Sequence, residues 1–179
     1  MSVRDDFTDD EWFLLGSVPA MIAAAMSSAA PSGVIGTVKE LTAGMRAMIQ
    51  GREEHADSPL IVALLEKAGN WDEAREKAAD YRERSKARLE AAGVTSREEL
   101  HRQVEQDCRA AAALVDERAE PSDAAAYKEW SVAIALQVAE AAKEGGFLGF
   151  GGERVSEEER LMLARIEKAL GVPTGVLIV

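Results

Sequence analysis

Residues 12–30 have the sequence WFLLGSVPAMIAAAMSSAA, a run of 19 positions without a charged side chain. A run of this kind is typical of a membrane span, a signal peptide or the central helix of a soluble protein. The flank that precedes it is acidic, with five Asp or Glu residues against Arg4 alone, the reverse of a signal peptide. We therefore interpret the run as a buried core helix. Because Pro19 removes a backbone donor, we expect a kink or break near Ser17 and Val18.

The composition predicts a fold made of helices. The chain has 179 residues, of which 47% are hydrophobic but only 5% aromatic, so its core must consist largely of Ala, Leu, Val, Ile and Met. Such a core favours closely packed helices over a β-sandwich, which needs β-branched and aromatic residues. The length suits one domain. We predict a single all-α domain over residues 1–179, a bundle of about seven helices.

The charge and the single cysteine exclude several classes of protein. Lys and Arg number 21 against 32 Asp and Glu, a net charge of −11 that repels the phosphate backbone of nucleic acids. Cys108 cannot form an intrachain disulfide, and its position on an apolar helical stripe predicts a buried, unreactive thiol. We expect a cytoplasmic protein that has no nucleic-acid partner.

Local signals mark the ends of the helices. Three capping-box patterns predict helix starts; they pair Thr8 with Glu11, Ser96 with Glu99 and Ser156 with Glu159. Asn70 is a further candidate cap. The later helices are predicted at about 37–50, 59–68, 71–92, 97–118, after Ser122, and 157–170. Their apolar stripes include Met45, Ile49, Trp71 and Leu161, and small residues of the first helix, among them Gly16 and Ala23, would allow a second helix to approach closely.

Two glycine-bounded segments predict an internal repeat. GVIG at 33–36 and GFLG at 146–149 each follow an Ala-rich helix and place two apolar residues between two glycines. We expect two pseudo-repeated helix–glycine turn–helix hairpins around a core of helices 1, 2, 6 and 7. The segment 71–119 would be an inserted, protruding helical hairpin.

The second glycine segment, GGFLGFGG at 145–152, allows several interpretations. A phosphate-binding loop would need a lysine and a preceding strand, and neither is present. We favour a packed plug formed by Phe147, Leu148 and Phe150, which could instead contact a partner or dip into a membrane. The membrane interpretation is weakened by the lack of a basic rim around these residues.

The segments ERVSEEERLMLARIEKALGV at 153–172 and PSGVIGTVKEL at 31–41 resemble the TerB-like helical family of tellurite resistance, in which helical hairpins carry a glycine turn followed by a capped acidic segment. The resemblance extends over residues 12–50 and 124–172. In both copies a glutamate, Glu40 or Glu159, lies seven residues beyond a turn glycine. The resemblance implies a role in metal-linked or stress-linked binding.

Few other residues have the spacing of a metal-binding or catalytic site. Glu98 and His101 have the i, i+3 spacing of di-iron helical bundles, but the chain lacks a second Glu-x-x-His pattern, which predicts a solvated pair. No local motif supports a Ser/His/Asp or Cys/His arrangement. We therefore expect a protein that is not an enzyme and needs no cofactor.

The leading functional hypothesis is a TerB-like interaction or stress-response module. It would bind a protein partner through an apolar groove between helices, or associate with itself as a homodimer. A second hypothesis is a protein that binds a divalent cation through Glu40 and Glu159. A third is peripheral membrane association through Phe147, Leu148 and Phe150.

Overall fold

The computed structural model of the chain describes residues 3–29, 33–66, 69–143 and 156–172. Throughout these ranges the regular structure is helical and contains no strand, which confirms the all-α prediction. A short 3₁₀ helix precedes seven α-helices. Their bounds are Val3–Asp6 for the 3₁₀ helix, α1 Asp9–Ala29, α2 Gly33–Glu54, α3 Pro59–Leu64, α4 Trp71–Ala91, α5 Arg97–Arg118, α6 Pro121–Lys143 and α7 Glu157–Leu170.

The helix starts follow the capping signals of the sequence. All three predicted capping boxes form, so that α1, α5 and α7 each begin with two backbone donors satisfied by side chains. Asn70 caps α4 by accepting from the backbone N–H of Glu73 at 3.0 Å. Each such cap contributes about 1 kcal/mol, which explains why short polar patterns locate these ends well.

The central element of the fold is α1, which contacts α2, α5, α6 and α7. Four of its large apolar side chains are at most 1% exposed; they are Leu15, Val18, Ile22 and Met26. In the described part of the chain α1 alone has the length and hydropathy of a membrane span, and 56% of that window is buried by other helices. The interpretation of residues 12–30 as a core helix is therefore confirmed.

The helical break that Pro19 predicted is absent, because α1 continues without interruption from Asp9 to Ala29. Pro19 is itself buried. The backbone acceptor that it leaves without a helical donor is satisfied from α6 by the hydroxyl of Tyr127. A side chain distant in sequence thus supplies the hydrogen bond that proline cannot.

The close packing of α2 depends on glycine. A Cβ atom at Gly51 would lie 2.0 Å from Nε1 of Trp130 in α6, and one at Gly44 would lie 2.7 Å from Cβ of Ala23 in α1. The two glycines are seven residues apart and so share one face of α2. The sequence-based expectation that a helix approaches α1 closely at Ala23 is confirmed, and the glycines that permit it belong to α2.

The segment 71–119 differs from the predicted protruding hairpin. Helix α5 belongs to the core, where it packs against α1 and α7 and buries Val104, Cys108, Ala111 and Val115 completely. Helix α4, in contrast, has no buried side chain among those described. The two helices therefore have different roles, α5 as a core element and α4 as an outer one.

The prediction of a glycine corner at residues 33–36 is wrong. Residues 33–36 form the first turn of α2, which begins at Gly33, about four residues before the predicted start. A glycine weakens a helix by only about 1 kcal/mol, so two of them did not prevent helix formation. The second predicted corner, at 146–149, lies outside the described residues, and the pseudo-repeat stays a prediction.

Candidate functional site

An open groove with a volume of about 500 Å³ separates α4 from α1. Helix α1 contributes a floor of small and flexible side chains, Ser17, Ala20 and Met21. Helix α4 contributes one wall, and Val94 closes the end of the groove beyond α4. The wall and its edge are formed by Tyr81, Arg82, Ser85, Lys86, Leu89 and Glu90.

The groove exists because α4 has too little apolar surface to pack closely on α1. Its contact begins with Tyr81, whose ring centroid lies 5.1 Å from that of Phe13 in α1. The guanidinium of Arg84 lies 4.2 Å from the centre of the same Phe13 ring and reaches Asp10 at 3.3 Å. Farther along α4, only Leu89 supplies a large apolar side chain toward α1. Beside this narrow seam, part of the surface of α1 stays uncovered.

A charged clasp fixes the later part of α4 to α5. Arg88 donates through both terminal nitrogens to the carboxylate of Asp107, with Nη1 at 2.8 Å from Oδ2. Gln103 donates to the same carboxylate at 2.8 Å. The Asp107 side chain is only 3% exposed, so this pair is shielded from water on its acidic side. The clasp holds α4 in place although the helix buries little apolar surface.

The open edge of the groove carries a row of charges. Arg82, Lys86 and Glu90 follow one another at intervals of four residues and therefore lie on the same side of α4. Lys86 and Glu90 are 3.7 Å apart, and Arg82 has no ion-pair partner in the described part of the chain. The edge is thus positive at its Arg82 end and close to neutral at its Glu90 end.

The polar groups inside the groove are hydroxyls. Burial raises the pKa of Tyr81 well above its ordinary value, which keeps its hydroxyl protonated. Ser17 donates to the backbone carbonyl of Leu14 at 2.9 Å, a bond within its own helix. Ser17 is 2% exposed and the Tyr81 hydroxyl is buried, so the surface that faces the opening is mainly apolar and its charges lie on the rim.

Both candidate metal ligands predicted from sequence, Glu40 and Glu159, are buried in the structure. Glu159 is 5% exposed, and its Oε2 atom accepts from the backbone N–H and the hydroxyl of Ser156, both at 2.8 Å. This carboxylate completes the N-terminal cap of α7. Glu40 is buried within α2. Among the residues that the structure describes, no three His, Cys, Asp or Glu side chains form a group that could hold a metal ion.

His101 is partly buried, in contrast to the predicted solvated Glu–His pair. Its Nε2 atom lies 2.9 Å from the hydroxyl of Ser28 in α1. Burial, followed by the charge of Arg97, lowers the pKa of His101. The carboxylate of Glu98 instead lies 3.6 Å from the guanidinium of Arg97. His101 therefore serves as a contact between α5 and α1.

Cys108 is completely buried in α5, as its position on the apolar stripe predicted. Burial, reinforced by the negative charge of Asp107, raises the pKa of the thiol to about 12. A thiol with this pKa and no exposure is almost entirely protonated at neutral pH. The prediction of an unreactive thiol is consistent with this environment.

The sequence singled out other apolar residues as contacts. Phe147, Leu148 and Phe150 fall outside the described residues, so the plug and the membrane tip stay predictions. Four large apolar side chains assigned to helical stripes from sequence are exposed instead; they are Met45, Ile49, Trp71 and Leu161. The sequence did not predict the groove as a specific site. The signal that could have indicated it is the thin apolar stripe of residues 71–92, together with their mixed charges.

Comparison of the chain with known protein families, with curated proteins and with solved structures finds no match. The resemblance to the TerB-like family therefore stays a prediction from the sequence.

Proposed function

We propose that this protein is a non-enzymatic helical interaction module that binds a helix of a protein partner in the groove between α1 and α4. The observation that carries the proposal is the groove itself, an open apolar surface bordered by charged residues. Amphipathic helices are commonly recognised in this way, with their apolar face in a groove and their polar face in water.

The dimensions of the groove suit a short helix. Along α4 its edge extends from Arg82 to Glu90, about 12 Å or two helical turns at 1.5 Å per residue. Helices α1 and α4 run in the same direction, since Phe13 contacts Tyr81 whereas Met21 and Leu89 line the groove farther along both helices. A helix lying between them would run beside the outer helix α4 and over the exposed side of α1.

The floor of the groove permits close approach. Ser17 and Ala20 are small, and Met21 and Leu89 are flexible enough to adjust to a neighbouring side chain. Removing apolar surface of this kind from water contributes about 25 cal/mol for each Å² buried. The proposal includes the cytoplasmic location expected from sequence, with α1 acting as a core helix.

A comparison of surface variants tests the proposal. Tagged wild-type protein, a Leu89→Asp variant and a Leu161→Asp variant are used to capture proteins from a native lysate of the source cells. Leu161 is a matched control, because it is a large apolar residue that is exposed on α7, away from the groove. We expect a partner that is recovered by the wild type and by Leu161→Asp but lost with Leu89→Asp.

Two measurements keep this test interpretable. Thermal unfolding of each variant shows whether Leu89→Asp is still folded. A photo-crosslinking side chain at Lys86 should form an adduct with the captured partner, whereas the same group at Lys168 in α7 should not. Equal recovery of the partner by all three proteins, with no adduct at position 86, would contradict the proposal.

A further inference from the structure

We infer that the helix occupying the α1–α4 groove carries two acidic side chains one helical turn apart, placed opposite Arg82 and Lys86. This inference rests on the proposed function and specifies the chemistry of the partner. It follows from the charges along the edge of the groove.

The two cations are available to a ligand. Arg82 has no ion-pair partner in the described part of the chain. Lys86 has one at 3.7 Å, Glu90, and the two side chains of that pair are 77% and 67% exposed. An ion pair that is so open to water is weak, so Lys86 can exchange its partner at little cost.

The spacing of the cations matches a helical ligand. Residues four apart on a helix lie about 6 Å from each other along its axis and on the same side. A ligand helix running beside α4 therefore presents matching carboxylates when these are also four residues apart. Glu90, at the far end of the same edge, disfavours a third acidic residue one turn farther along.

The overall charge of the protein does not oppose this arrangement at close range. The net charge of −11 repels an acidic ligand at a distance. At physiological ionic strength that repulsion is largely screened beyond about 8 Å. The charged side chains that line the groove are Arg82, Lys86 and Glu90, and the two cations at the Arg82 end favour an acidic helix over a basic one.

A displayed library of 18-residue helices tests the inference. Every member has a variable apolar face, and two flanking positions four residues apart are encoded as Glu, Gln or Lys in equal amounts. The library is selected against the full chain, and the best binder is resynthesised with its two Glu residues replaced by Lys. We expect Glu to be enriched over Lys at both positions, and the Glu peptide to bind about fivefold or more tightly than its Lys counterpart.

Variants of the protein test whether the preference for Glu arises from Arg82 and Lys86. In an Arg82→Gln, Lys86→Gln variant the preference for Glu should disappear, whereas an Arg102→Gln, Lys168→Gln variant, with the same change of net charge on α5 and α7, should retain it. Raising the NaCl concentration from about 50 mM to about 500 mM should also reduce it, because salt screens exposed charges.

Each outcome distinguishes the inference from the function on which it rests. Helices selected by the wild type but not by Leu89→Asp, and without a preference for Glu, would overturn the inference and leave the proposed function intact. Failure to select any helix would overturn the inference, while the capture experiment decides the proposed function separately. A Glu preference that survives Arg82→Gln, Lys86→Gln would also overturn it.

Discussion

The hydroxyl of Tyr127 in α6 donates a hydrogen bond of 2.8 Å to the backbone carbonyl of Leu15 in α1. Leu15 precedes Pro19 by four residues, so its carbonyl would normally accept from the N–H that proline lacks. Tyr127 is completely buried, and water does not reach it. This hydrogen bond satisfies the Leu15 carbonyl, which Pro19 leaves without a backbone donor, and it also satisfies the buried hydroxyl of Tyr127.

Replacing Tyr127 with Phe should destabilise the protein by about 1–3 kcal/mol, because a buried acceptor loses its donor. The loss should be smaller in a Pro19→Ala background, where residue 19 regains an N–H that can bond to Leu15. Urea unfolding of the wild type, the two single variants and the double variant measures this coupling. Equal effects of Tyr127→Phe in both backgrounds would mean that Pro19 and Tyr127 act independently.

Replacing Gly51 with Ala should be strongly destabilising, by about 1–3 kcal/mol or more, because the new Cβ would overlap the rigid indole of Trp130. Gly16→Ala in α1 is the control, since among the described residues its Cβ would come no closer than 4.0 Å, to a Leu64 methyl group. That substitution should stabilise the protein by about 0.5–1 kcal/mol through helix propensity. Thermal and urea unfolding of both variants test the contrast, which similar effects would contradict.

The sequence predicted best those features that depend on local chemistry. The capping boxes at Ser96 and Ser156 depend on residues three positions apart, so the pattern alone locates the helix starts. The all-α class follows similarly from the scarcity of aromatic residues and the lack of alternating patterns. Both predictions use information contained within a few neighbouring residues or in the overall composition.

Features that depend on distant contacts were missed. The backbone acceptor that Pro19 leaves open in α1 is satisfied by a tyrosine more than a hundred residues away. The groove arises because α4 runs alongside α1 with an apolar seam too narrow to cover it. The sequence shows the narrow seam but not the surface that it leaves open. The exposure of Trp71 likewise depends on where its helix lies relative to the core.

Removing the guanidinium of Arg88 should destabilise the protein, because the nearly buried carboxylate of Asp107 would lose its main counter-charge. An Arg88→Met substitution is expected to cost about 2 kcal/mol, less than the loss for a fully buried pair because the Arg88 side chain is 34% exposed. An Arg88→Met, Asp107→Leu double variant should recover much of the loss, since no unpaired charge remains.

The Arg88→Met substitution should destabilise mainly α4. Hydrogen exchange resolved by residue should show faster exchange in α4 after Arg88→Met, with little change in α1 and α6, because α4 has few other contacts with the body of the protein. Lys86→Met, at the neighbouring groove edge, is the control and should have little effect on exchange. Uniform acceleration in all helices would indicate that the clasp supports the whole fold instead of one outer helix.

The capping box of α5 should make stability depend on pH in the acidic range. The backbone N–H and the hydroxyl of Thr95 donate to the carboxylate of Glu99, and these bonds lower the pKa of Glu99 from its usual 4.5 to about 2. Between about pH 2 and pH 4.5, Glu99 binds a proton in the unfolded chain but not in the folded chain. The contribution of Glu99 is therefore complete above about pH 4.5 and decreases as the pH falls toward 2.

A Glu99→Gln variant should reveal this dependence, because glutamine can accept the same hydrogen bonds but does not titrate in this range. The stability difference between the wild type and Glu99→Gln should favour the wild type most at neutral pH and decline steadily below pH 4.5. Glu98→Gln is the control, since Glu98 is next in sequence but lies outside the capping box. Urea unfolding at a series of pH values from 2 to 7 measures both differences. If the Glu99 difference were constant over this range, the hydrogen bonds from Thr95 would not depend on the charge of the carboxylate.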